Sequence, residues 1–179
     1  MKQGMSAMTK TATGVNKEGK YLTFRLGGEE YGVELVRVRE IIALMDITPV
    51  PLTPEYVRGV MNLRGRVIPV VDLRRKFGMA PTEDHDRKCI IVCDVERGGQ
   101  HIQMSILVDA VSEVLYIKGG DIEDAPSFTG GLNTRLIHGI AKAKGGVKIL
   151  LDIDIVLSAS SAAAFSPGHQ PQTDAATAA

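Results

Sequence analysis

The chain has 179 residues, 44% hydrophobic and only 4% aromatic, so it can build a packed core, and that core must be mainly aliphatic. Its 21 basic residues match its 21 acidic ones; without a basic excess to meet phosphates, nucleic acid is not an expected partner. No apolar run reaches the roughly 18–20 residues that cross a bilayer, and Met1-Lys2-Gln3-Gly4-Met5 opens no signal peptide, so no membrane insertion and a cytosolic location are expected.

Residues 1–20 and the Ala/Ser/Pro-rich residues 158–179 lack an apolar period and read as disordered tails flanking one domain over 21–157. In that domain Leu22, Phe24 and Leu26 alternate with Tyr21, Thr23 and Arg25, the period of a half-buried strand. Gly27-Gly28 supplies turn chemistry. Tyr31–Leu35 is a second strand, Val36–Val38 a helical turn and Glu40–Leu44 a third strand. The stretch from Asp46 to Leu52 holds two prolines, which cannot donate to a ladder, and so belongs to an edge or a loop. Thr53-Pro54 fits the N-cap and first position of a short helix ending at Gly59. Val67–Val71 is a strand, and Asp72 caps a brief helix through Phe77 that Gly78 closes.

The second half repeats this order. Cys89–Val95, Ile102–Val108 and Glu113–Ile117 read as strands, 119–133 as a Gly-rich loop, and Ile137–Ile140 and Val147–Leu151 as strands before Asp152. Val33, Leu35, Val38, Glu40 and Ile41 answer to Ile106, Val108, Val111, Glu113 and Val114 at a shift of 73. Gly59, Val60, Gly65, Val67, Val70, Val71, Asp72 and Leu73 answer to Gly139, Ile140, Gly145, Val147, Leu150, Leu151, Asp152 and Ile153 at a shift of 80. The chain is thus a duplication. Each copy offers about five short strands, which suits a small barrel, and copies this small are expected to share a core.

Chemistry is sparse. On one strand Cys89 and Cys93 would lie about 13 Å apart at ~3.3 Å per residue, too far for a disulfide, and they read as small hydrophobes. His85, His101, His138 and His169 are scattered and read as solvated or locally bonded. Asp152-Ile153-Asp154 suggests a carboxylate pair for a metal, but Asp152 matches the capping Asp72, so a cap or a solvated face is the reading. No nucleotide-binding or hydrolase motif is present; neither catalysis nor a cofactor is expected. Two features point outward: Asn62-Leu63-Arg64-Gly65-Arg66 at a turn, which reads equally as an ordinary hairpin tip, and Val38-Arg39-Glu40, whose Glu is either isolated or paired with an Arg of a neighbouring strand.

Tyr31-Gly32-Val33, Val38-Arg39-Glu40-Ile41, the run from Arg58 through Asn62-Leu63-Arg64-Gly65 to Asp72-Leu73, Phe77-Gly78, and Val108-Asp109-Ala110-Val111-Ser112-Glu113-Val114-Leu115 closely resemble the CheW family. The resemblance covers about residues 21–157. It implies an all-β fold with a few short helices, built as two interlocked five-stranded barrels. It also implies an adaptor that couples the cytoplasmic tips of chemoreceptors to the regulatory domain of the histidine kinase CheA, recruited to arrays under the inner membrane. A coupler for a chemosensory-like pathway with another output is the alternative.

Carried over, Glu40 and Arg64 match paired polar positions near the receptor groove. Val38, Gly59, Asn62 and Leu63 lie in the same motifs, and Val111 and Val114 face the groove from the second barrel. Ala125-Pro126-Ser127-Phe128 matches a segment whose Phe meets the kinase; Glu123 stands where the family can carry an Arg. On the first barrel, Ile47, Pro49 and Val50 are assigned to kinase docking from an apolar, proline-blocked edge alone.

Overall fold

The computed structural model describes residues 16–126, 134–143 and 145–158. It holds eleven strands: β1 Gly19–Leu26, β2 Glu29–Glu34, β3 Val38–Ala43, β4 Val57–Leu63, β5 Arg66–Asp72, β6 Cys89–Arg97, β7 Gln100–Val108, β8 Ala110–Ile117, β9 Ile122–Glu123, β10 Ile137–Ala143 and β11 Gly146–Leu151. Two one-turn helices, α1 Leu73–Lys76 and α2 Ile153–Val156, follow β5 and β11.

The strands form two sheets, ordered β8-β1-β2-β11-β10-β9 and β3-β6-β7-β5-β4. The repeat makes β1 to β3 equivalent to β6 to β8, and β4 and β5 equivalent to β10 and β11. Each sheet therefore joins the first two strands of one repeat to the later strands of the other. The exchange is symmetric: β1 pairs antiparallel with β8 as β6 does with β3, and β2 pairs parallel with β11 as β7 does with β5. Ladder irregularities repeat as well. The register shifts between Val57 and Gly59 and between Ile137 and Gly139, at the same place in each copy.

Alternation along the strands sorts side chains into three cores. Ile91, Cys93 and Val95 of β6 face a central cluster with Leu22, Phe24 and Leu26 of β1, while Ile90 and Val92 face a second cluster with Met61, Ile68 and Val70. A third cluster gathers Tyr21, Ile117, Ala141 and Leu150. The second cluster takes Ile42 from β3 and Leu63 from β4, and the third takes Leu115 from β8 and Ile122 from β9. These strands are opposite edges of their sheets, so each sheet curls until its edges share a core. The central cluster lies between the two and also takes Leu73 of α1 and Ile153 and Val156 of α2. Truncating one of its large side chains, such as Phe24, costs roughly 3–5 kcal/mol.

Three local expectations are corrected. Tyr21 and Thr23 are buried along with Leu22 and Phe24, because β1 is covered on both faces; the Thr23 hydroxyl donates to the Glu113 carbonyl at 2.8 Å. No helix follows Thr53-Pro54. The Thr53 hydroxyl donates to the Val50 carbonyl instead, and the chain turns into β4 with Gly59 inside the strand. The loop after Gly119 carries β9, whose Glu123 pairs with Ile140. The two helix caps match expectation: Asp72 (φ −81°, ψ 108°) accepts from the Arg75 N–H and Asp152 (φ −83°, ψ 103°) from the Ile155 N–H.

Candidate interaction surfaces

At the mouth of the second sheet, Arg64 in the β4–β5 turn reaches across to Glu40 on β3. Its two terminal nitrogens donate to the two carboxylate oxygens at 2.8 and 3.0 Å, a bidentate fork. The guanidinium holds the Glu40 carboxyl below the usual carboxylate range. Of the two readings of Glu40, pairing with a neighbouring Arg is the one realised. The turn is built for this: Arg64 adopts φ 52° and Gly65 φ 83°, and the Asn62 side chain accepts from the Gly65 N–H at 2.9 Å. Asn62 thus shapes the turn, while Leu63 is half-buried against the second cluster.

Gly59 is buried and presents no side chain. Its φ is 145°, and a Cβ there would lie 2.1 Å from the Thr48 carbonyl oxygen. Thr48 and Val60 exchange backbone hydrogen bonds of 2.8 and 2.9 Å at this point, so the missing Cβ is what admits the incoming segment. Gly139 plays the same part for β9, with a Cβ meeting Ile122 at 2.7 Å.

Val38 and Val111 are half-buried and pack on the central cluster. Ile41 and Val114, equivalent in the repeat, are exposed by 43% and 48%, and the equivalent Val67 and Val147 by 71% and 58%. Exposed apolar side chains at matching positions of both repeats mark a patterned surface; Ile41, Val67 and Val147 were not singled out in the sequence, although the shift of 73 ties Ile41 to Val114. Val111 also borders an open cleft of about 620 Å³ with Arg25, Arg87, Cys89 and Glu113.

The proposed kinase edge is mixed. Ile47 packs on the second cluster, Val50 is half-buried and Pro49 is exposed. Beside them Leu52 is fully exposed (104%) at φ 60°. Phe128 lies outside the described residues; Glu123 nearby pairs with Lys142.

The acidic and thiol groups do structural work. Asp154 is half-buried and ion-paired: it binds Arg37 at 2.5 Å and accepts the Glu96 N–H at 2.9 Å. Burial raises the Cys93 thiol to about 12. His138 departs from expectation, since its Nε2 is buried with no hydrogen-bond partner among the described residues.

Residues 20–161 match the family model of the CheW-like domain. The chain belongs to the CheW-like family. It is 35% identical to the chemotaxis protein CheW of Klebsiella aerogenes, over 87% of this chain and 90% of that one. It is also 35% identical to the chemotaxis protein CheW of Rhizobium meliloti, over 83% and 94%. Its fold superposes on the crystal structure of the scaffolding protein TtCheW from Thermoanaerobacter tengcongensis with a TM-score of 0.70 and 33% identity, over 80% and 90% of the two chains. The match starts at Lys20, one residue into β1.

Proposed function

We propose that the chain is a non-catalytic adaptor that joins the cytoplasmic tips of chemoreceptors to the regulatory domain of a CheA-type histidine kinase. The observation that carries this reading is the Glu40–Arg64 fork, held at a curled sheet's mouth, in a chain of the CheW-like family. A receptor tip is a helical hairpin. One of its faces can lie against the apolar positions Val38, Val111 and Val114, with Glu40 and Arg64 fixing its orientation. Ile47, Pro49 and Val50 form a separate edge for the kinase, and Phe128 a second kinase contact.

Each contact is small, near or below about 1,200 Å². Repeated in a lattice they hold firmly, because every later contact is effectively intramolecular. The adaptor is thereby drawn to the membrane by its receptors without entering the bilayer.

The test is co-purification of the intact chain with a receptor signalling fragment and a CheA-type kinase from the same cell. A ternary complex that forms only when the adaptor is present supports the reading. Failure to retain either partner overturns it.

A further inference from the structure

The chain just ahead of β1 grips a segment far along the sequence. Residues 16–18 belong to no helix or strand and lie outside the family match. Glu18 accepts the Gly119 N–H at 2.9 Å on one carboxylate oxygen and the Tyr116 hydroxyl on the other. Lys17 donates to Asp124 at 2.5 Å, and its stem packs over Gly139, where a Cβ would lie 3.7 Å from the Lys17 Cδ. The Lys17 carbonyl accepts the hydroxyl of Tyr21, which roots the strap in the third cluster. The strap therefore ties both ends of the 119–124 link, which contains β9.

The other barrel shows the same place in another condition. There the segment before β6 is the counterpart of the strap, and residues 44–47 after β3 are the counterpart of 117–120 after β8, at the shift of 73. Asp84 of that segment turns to Arg58 at 2.8 Å and Lys88 at 3.1 Å. An open cleft of about 400 Å³ is lined by Asp84, Arg58 and residues 44–47. The fold thus tolerates this end both open and bridged. The bridge is weak: Asp124 is 92% exposed, and ion pairs in solvent contribute little. β9 is two residues long and meets β10 at two register positions. Elements held so sparsely open locally, without global unfolding.

We infer that residues 16–18 are a reversible latch on the 119–124 link. Closed, the latch orders β9 against β10. Open, it frees the link and leaves this barrel end like its counterpart. Residues ahead of the family match thereby govern the order of a segment inside it, and a pull on the strap is felt at β9.

Amide hydrogen exchange of the full chain at neutral pH tests this, with thermal midpoints measured alongside. The readout is the β9–β10 rung at Ile122, Glu123, Ile140 and Ala141. Glu18→Ala removes both acceptors; Lys17→Met keeps the stem and removes the charge. Each should speed exchange on the rung by at least about threefold, and the two together by about tenfold. Ile91 and Ile106, in the central cluster, should keep the parent's rates, and the midpoint should not move. In the parent, exchange on the rung should be insensitive to low urea, the mark of a local opening. An effect confined to the Gly119 amide overturns the inference, since it reports one lost hydrogen bond. So does a uniform rise that includes Ile91 and Ile106 with a lowered midpoint, which makes the strap a fixed brace. No change on the rung in the double variant overturns it as well.

Discussion

Arg74 and Asp154 occupy the same position in the two repeats, the second residue of α1 and of α2, and carry opposite charges. Each reaches the link between the second and third strands of the other copy: Arg74 donates to Asp109 at 2.7 Å, and Asp154 accepts from Arg37 at 2.5 Å. Each acidic partner also accepts a backbone N–H, of Gly27 at 2.8 Å and of Glu96 at 2.9 Å. The two halves are thus locked at both ends by ion pairs of reversed polarity.

The first lock is the better shielded, with 15% of each partner's side chain exposed against 27% in the other. Arg74→Ala is therefore expected to cost about 2 kcal/mol, in the range for hydrogen bonds to charged groups. Arg37→Ala should cost about 1 kcal/mol, nearer the surface value. Urea denaturation of both variants checks the order.

The first lock also makes stability depend on acid. Burial raises the Asp109 carboxyl, but Arg74 and the Gly27 N–H outweigh it and leave the group below its usual range. Its folded pKa is thus below its unfolded one of about 3.9. The stabilisation is complete above that value and is lost as pH falls through the folded pKa. Replacing the carboxylate (Asp109→Asn) should destabilise the protein at neutral pH and flatten the fall in stability below about pH 4, followed by denaturation midpoints across that window.

Gly59 and Gly139 give a paired test of backbone approach. Gly59→Ala puts a Cβ against the rigid Thr48 carbonyl at a positive φ, whereas Gly139→Ala first meets the movable Ile122 side chain. A loss of about 2 kcal/mol or more is expected for Gly59→Ala and a smaller one for Gly139→Ala. Equal losses would mean that the close approach at Thr48 relaxes freely.

The fork at the mouth should matter for binding and little for folding, since Arg64 is mostly solvent-exposed. Arg64→Ala should keep the thermal midpoint of the parent and lose receptor binding by about tenfold or more. The variant with both charges exchanged, Glu40→Arg with Arg64→Glu, should fold but fail to regain full binding if the partner reads the signs and not the fork alone. Calorimetric titration with a receptor fragment distinguishes the cases.

The duplication was legible because its markers are local. Capping Asp72 and Asp152, hairpin glycines and alternating aliphatics keep their spacing in one dimension. The exchange between copies was not, since the partners of β1 and β3 are chosen by packing around the central cluster, which no spacing records. The helix expected after Thr53-Pro54 failed for a similar reason: the Thr48 segment claims the adjacent edge and draws Gly59 into a strand. At the candidate site the Asn62–Arg64 motif and Glu40 were visible, but that Arg64 meets Glu40 depends on a sheet curling far enough to bring its edges together. Leu52 stayed hidden because an apolar residue beside prolines carries no mark of a left-handed backbone.

The interleaved strands also set the order in which this protein can come into being. When the ribosome has finished β5, the strands β1 and β2 are complete, yet β1 still awaits β8 and β2 awaits β11, its Tyr31 aligned with Ile149. A chain with so many distant pairings folds slowly. Its early half spends synthesis with Leu22, Phe24 and Val33 uncovered, so the nascent adaptor needs either prompt completion or a chaperone's shelter.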